Sequence, residues 1–172
     1  MAAAGPCRIR PPLDTYFAAL VRSILYQQLA GKAAAAIHAR FLANFPAGLT
    51  PQALLALPEE RLRASGLSGA KAASVRDLAA RVLDGTVPLD GIEAHSDDDI
   101  VERLCAVRGI GRWTAEMFLI FQLRRLDVWP VDDFAVRKGW ALIHGRPEMP
   151  APRVLKAEGD LFRPYRTAVA WY

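Results

Sequence analysis

The chain has 172 residues, of which 52% are hydrophobic, and carries a formal net charge of +4 with an isoelectric point near 9.4. That length supports one substantial core or two small lobes around a cleft, and the basic balance makes an acidic polymer a natural partner. No run approaches the roughly 18 apolar residues of a membrane span, and the first residues lack both the basic start and the apolar core of a secretory signal. A soluble, intracellular protein of the cytoplasm or nucleoid, with no membrane partner, is therefore expected. Its two cysteines, Cys7 and Cys105, are too few for a disulfide framework or a four-cysteine cluster.

Apolar residues recur with a period near 3.6, and no segment keeps a two-residue alternation, so the expected fold class is all-α. In chain order the spacing predicts helices over 15–29, 32–44, 51–57, 59–65, 70–83, 97–107, 112–122, 133–144 and 153–162, with a last one beginning near Tyr165. Thr50 before Pro51 is a helix start, because proline is tolerated in the first turn. Ser96 followed by Asp97, Asp98 and Asp99 is another, in which a capping hydroxyl and three acids complement the helix dipole. Cys105 is expected on the core face of its helix. No period repeats, and no low-complexity linker divides the chain.

The densest chemistry lies in LCAVRGIGRWTAEMF at 104–118 and WPVDDF at 129–134. The first reads as a helix, a Gly-Ile-Gly hairpin and a second helix. Gly109 and Gly111 have no Cβ, so they can take φ > 0 and admit a close backbone. They leave the amides of the following helix uncovered, and those amides with the helix dipole form an anion site flanked by Arg108 and Arg112. A nucleic-acid phosphate suits it. The second segment places Asp132 and Asp133 at the start of a third helix, where one acid can cap while the other reacts. His38, His95 and His144 show no metal-ligand pairing, so neither zinc nor another transition metal is expected.

With those residues in view, 104–138 resembles the helix-hairpin-helix plus Gly/Pro-Asp motif of DNA base-excision glycosylases. Two further runs, LVRSILYQQLAGKAA at 20–34 and FRPYRTAVAWY at 162–172, are similar to the alkylbase branch, the 3-methyladenine DNA glycosylase II (AlkA-type) family. The resemblance implies two helical lobes with a DNA- and base-binding cleft between them, in a minimal form that lacks the N-terminal β-rich domain of larger members. The expected organisation is an arm at 1–13 and one glycosylase domain at 14–172. Within it, one lobe is 32–107 and the other combines 14–30 with 109–172. The family pattern also leads one to expect the last helix to continue beyond Tyr172.

What the resemblance implies is a monofunctional, monomeric enzyme that flips alkylated bases such as 3-methyladenine out of double-stranded DNA and hydrolyses the N-glycosidic bond. Asp133, matching the second acid of the family's pair, is the expected catalytic carboxylate, stabilising an oxocarbenium-like sugar, with Asp132 in support. Gln28 or Leu29 stands where a DNA wedge is expected. A flipped, electron-poor base asks for aromatic walls, and Trp113, Phe134, Tyr26, Met117 and Trp171 are the candidates. Phosphate contacts fall to Gly109, Gly111, Arg108, Arg112 and Thr114, to a second turn LSGAK at 67–71 with Gly69 and Lys71, and to Lys32.

Members that also cut the DNA backbone carry a Schiff-base lysine two residues after the second hairpin glycine, where this chain has Trp113; hydrolysis without strand cleavage follows. No cofactor is required and no iron–sulfur cluster is expected. A sodium or potassium ion held by the backbone carbonyls of Cys105, Val107 and Ile110 is implied. Two other readings stay open: a non-catalytic helix-hairpin-helix clamp on DNA, and a glycosylase for oxidised or mismatched bases.

Overall fold

A computed structural model describes Ile9 and residues 11–172; Cys7 and most of the expected arm lie outside the described residues. All regular elements among the described residues are helical. They form two compact units, which divide between Ala115 and Glu116 within one helix.

The first unit, Leu13–Ala115, contains α1 (Tyr16–Tyr26), α2 (Gly31–Leu42), α3 (Pro51–Ala56), α4 (Glu59–Ala64), α5 (Gly69–Leu83), a 3-10 turn (Ile92–Ala94), α6 (Asp97–Cys105) and the start of α7 (Arg112–Phe121). Most of these helices begin where a short polar side chain can satisfy an orphan amide. Thr15, Thr50, Ser68 and Ser96 each accept from the backbone N–H three residues on, at 3.1–3.2 Å. The apolar stripes then meet. Leu20, Ile24 and Leu25 of α1, Phe41 of α2, Leu54 of α3, Leu62 of α4, Leu78 of α5 and Leu104 of α6 are fully buried.

Helix α5 organises this unit because its polar side chains finish its neighbours. Lys71 Nζ donates to the carbonyls of Leu25 and Gln27 at 2.7 and 2.8 Å, closing the C-terminus of α1. Arg76 donates to the carbonyls of Leu57 and Leu55 at the end of α3, at 2.9 and 3.3 Å. Helix α1 therefore stops at Tyr26, three residues before the expected Leu29: Gln27 is extended and Gln28 takes a left-handed φ of 56°. Cys105 corrects another expectation, for it is exposed. The buried face of α6 is carried by Ile100, Val101 and Leu104, and continues to Val107.

The second unit takes in residues 116–172 and the described residues before Leu13. It holds the rest of α7, then α8 (Phe134–Ile143), α9 (Pro152–Gly159), a 3-10 turn (Asp160–Phe162) and α10 (Arg166–Trp171). This division differs from the expected lobes, since α1 packs against α2 and α5 inside the first unit. The centre of the second unit is Trp129, Trp140 and Leu155, with Val131, Val136, Val169 and Ala170 packed around them. The two indoles meet edge to face, with centroids 5.4 Å apart. Each buried N–H finds an acceptor, Trp129 on the Leu155 carbonyl at 2.8 Å and Trp140 on Glu158 at 2.7 Å.

Gly159 is required by this packing, because a Cβ there would overlap the Trp129 indole. Gly159→Ala is expected to lower stability by about 1–3 kcal/mol, the usual range for overpacking a filled core, as read by urea denaturation. Acid should weaken the same unit. Arg166 holds the Asp127 carboxyl below its usual pKa, and Arg146 with Trp140 does the same for Glu158. The stability these groups contribute is complete above their ordinary values of 3.8 and 4.5 and fades as pH falls through the lower folded values. Melting curves from pH 6 to pH 3 should show that loss only at the acid end.

Candidate active site

A pocket of about 160 Å³ opens in the second unit. Met117, Ile120 and Phe121 of α7 form one part of its wall, Pro130 and Asp133 another, Ala135 and Val136 of α8 a third, and Thr167, Ala170 and Trp171 of α10 the rest. The Phe121 and Trp171 rings meet edge to face at 6.3 Å. Val136 and Ala170 also pack against the tryptophan cluster, so the pocket is backed by the best-packed part of the unit. Asp133 is the only acidic residue in this lining.

Asp133 is at the same time the N-cap of α8, its Oδ1 accepting from Val136 N–H at 2.9 Å. The division in which one acid caps while the other reacts is thus corrected: a single side chain caps and faces the pocket, while Asp132 is exposed and absent from the lining. The cap fixes the carboxylate's rotamer at the start of α8.

The hairpin belongs to the first unit. Gly109 has φ 79°, and a Cβ there would lie 2.7 Å from Ser74 Oγ, so both its conformation and its proximity to α5 demand glycine. The turn is held from several sides. Its Gly109 carbonyl accepts from Gln27 Nε2 at 2.8 Å, the Arg108 N–H donates to Asp77 at 2.7 Å, and the Ile110 N–H donates to the Val107 carbonyl at 3.1 Å. Gly111 differs from the expectation of φ > 0. Its φ is not positive, and a Cβ there would meet nothing within 4 Å. The fold itself makes no demand for glycine at 111, and the exposed first turn of α7 begins beside it.

Three expected residues meet at the pocket: Asp133, Met117 and Trp171. Phe134 does not line it; it is 63% exposed on α8, with the Lys138 ammonium 6.0 Å from its ring centroid. Trp113 and Tyr26 belong to the first unit, where Trp113 is 45% exposed and Tyr26 packs edge-on against His38 under Arg22. Arg108, Arg112, Lys32 and Gly69 are exposed, as are Gln28 and Leu29 at the break between α1 and α2. One phosphate assignment changes: the Lys71 amine is spent on the carbonyls of Leu25 and Gln27, where burial also lowers its pKa. The Thr114 side chain is buried. Sequence reasoning missed Ile120, Phe121, Pro130, Ala135, Val136, Thr167 and Ala170. Met117, Ile120 and Phe121 follow helical spacing, which reads the same for a pocket wall as for a core.

Among the described residues no cluster of three or more His, Cys, Asp or Glu side chains could hold a metal, and no helix is long and apolar enough to cross a membrane. Residues 21–164 match the model of the HhH-GPD superfamily base excision DNA repair proteins. The chain belongs to that superfamily. It is 38% identical over 156 residues to DNA-3-methyladenine glycosylase 1 of Schizosaccharomyces pombe, covering 89% of this chain and 68% of the relative. The solved structure of the fission yeast 3-methyladenine DNA glycosylase Mag1 in complex with abasic DNA superposes with a TM-score of 0.81 at 36% identity, over 96% of this chain and 84% of that one. A DNA-3-methyladenine glycosidase from Bacillus halodurans gives a TM-score of 0.92 at 34% identity, over 99% and 79% of the two chains.

The two hairpin glycines should separate in a stability measurement. Gly109→Ala is expected to cost about 1–3 kcal/mol through backbone strain, whereas Gly111→Ala should stay within about 0.5 kcal/mol of the parent. Lys71→Met, which strips the cap from α1, should lower the denaturation midpoint without changing the salt dependence of DNA binding.

Proposed function

We propose that this protein is a monofunctional DNA glycosylase that extrudes alkylated bases such as 3-methyladenine from double-stranded DNA and hydrolyses the N-glycosidic bond, acting as a monomer. The observation that carries this reading is a capped carboxylate, Asp133, as the single acid in a small, mostly apolar pocket with aromatic walls. At about 160 Å³ the pocket is smaller than the roughly 300–1,000 Å³ clefts that take drug-sized ligands, and it suits one planar base. The 3-methyladenine glycosylases among its relatives support the same substrate class.

In this mechanism the base leaves with the electrons of the C1′–N bond, and positive charge develops on the sugar. The Asp133 carboxylate, held by the Val136 amide, stabilises that cation and orients the water that attacks C1′. Trp171 and Phe121 offer stacking surfaces to the extruded base, and Trp113 is a further candidate. At the hairpin, the first-turn amides of α7, which a helix cannot satisfy internally, receive a phosphate beside Gly111, with Arg108 and Arg112 adding charge. Gln28 and Leu29 are candidates to fill the gap in the duplex. The Val107 carbonyl keeps a second lone pair beyond its bond from Ile110 N–H. With the carbonyls of Cys105 and Ile110 it would hold a sodium or potassium ion through oxygen donors alone, and that ion would supply positive charge toward a phosphate. No step of the reaction passes through that ion.

Randomly methylated DNA provides the test, with released bases identified by chromatography. Asp133→Asn should abolish release while leaving fold and duplex affinity nearly unchanged, because asparagine caps a helix as well as aspartate does but carries no charge. Near-parental release would remove Asp133 from the mechanism. The product should be an intact abasic strand, and borohydride should trap no covalent adduct, since no imine forms. Gly111→Trp should weaken binding to all duplex sequences alike and flatten the log–log salt slope by about one unit.

A further inference from the structure

We propose that Arg166 and Thr167 are positioning residues: they set the α10 wall of the pocket in register with Asp133 and thereby control the rate of base release. This rests on the function proposed above. Residues 122–132, which lead from α7 to Asp133, form no helix and no ladder, so their path has to be fixed by contacts from elsewhere. The carbonyls of Phe118 and Leu119 hold its start, through the N–H groups of Leu123 and Arg125, and from Arg125 to Val128 the fixing comes from the first turn of α10.

Arg166 Nε donates to Asp127 Oδ1 at 2.6 Å, and its Nη2 donates both to Asp127 Oδ2 at 3.0 Å and to the Asp127 carbonyl at 2.7 Å. Thr167 continues the seam. Its N–H donates to the Leu126 carbonyl at 2.9 Å and its hydroxyl to the Arg125 carbonyl at 2.7 Å, while that hydroxyl accepts from Val128 N–H at 2.9 Å. Only a planar fork can hold a carboxylate and a carbonyl of one residue together, which makes arginine specific here. The Thr167 hydroxyl is consumed by backbone, so the methyl is what this residue offers the pocket it lines.

One turn further along α10, Ala170 and Trp171 line that same pocket, and Asp133 follows Asp127 by one short segment. The spacing between the stacking surface and the carboxylate is therefore set by this seam. Trp129, held by the Leu155 carbonyl, anchors the same segment lower down. The distinction between Arg166 and its neighbour is burial. Arg163 also reaches Asp127, at 2.9 Å, but its side chain is 55% exposed against 12% for Arg166. An exposed pair of that kind contributes little to rigidity. Reaction rates fall steeply with misplacement, on the order of a hundredfold for 1 Å.

The experiment compares the parent protein with Arg166→Lys, Thr167→Val, Thr167→Ser and Arg163→Ala. Each is assayed for thermal midpoint, single-turnover release of methylated bases, affinity for a duplex carrying an abasic analogue, and amide exchange across 124–133. Lysine keeps the charge but not the fork. Arg166→Lys is expected to slow single-turnover release by about tenfold or more at a temperature where the variant is fully folded, with duplex affinity within about twofold and faster exchange at Val128. Thr167→Val should behave likewise, Thr167→Ser should recover most of the rate, and Arg163→Ala should match the parent. Parental release rates in folded Arg166→Lys and Thr167→Val, or losses that only track the unfolded fraction, would overturn the proposal. A parent protein that releases no base would overturn the proposed function. Unchanged exchange in Arg166→Lys would overturn the seam itself, so the two failures are distinguishable.

Discussion

Helix ends are the problem that the first unit is built to solve, and α5 solves it with long cationic side chains. The last carbonyls of α1 and α3 have no partners within their own helices. Lys71 and Arg76 reach them from adjacent turns of α5, and in doing so they fix where those helices stop. Further along α5, Ser74 lies under Gly109 and Asp77 takes the Arg108 amide, so the hairpin rests on the same helix. Moving α5 would disturb the chain break at Gln27 and Gln28, and the glycine turn, together.

The second unit has a different logic, in which an aromatic cluster and a hydrogen-bonded seam hold an irregular segment. Trp129 sits against Gly159 and donates to the Leu155 carbonyl, and Trp140 donates to a Glu158 that Arg146 also engages. These bonds leave the buried indoles fully satisfied, which is what permits two tryptophans in so small a core. The pocket then forms where Val136 and Ala170 turn from that core toward α7. Asp133 stands at the start of α8, where its rotamer is fixed by the Val136 amide. The same side chain caps a helix and faces the pocket, so no separate scaffold holds it.

The order of the helices, their starts to within one residue and the positions of the hairpin and the acid pair were legible in the amino-acid sequence. Capping residues, proline and glycine act locally, and the apolar period of 3.6 is a local pattern too. Thr15, Thr50, Ser68, Ser96 and Asp133 all begin helices for reasons that lie within four residues of each. What the tertiary structure decided was every role that depends on residues far apart in the chain. Lys71 reads as a phosphate contact until the carbonyls of Leu25 and Gln27 claim it. Gly109 and Gly111 look equivalent until Ser74 approaches one and nothing approaches the other. Ile120 and Phe121 look like core until α8 and α10 leave a space beside them, and Arg166 looks like one more surface cation until Asp127 receives its fork. The physical reason is that propensity and periodicity encode which face of a helix is apolar, whereas only packing decides what that face meets.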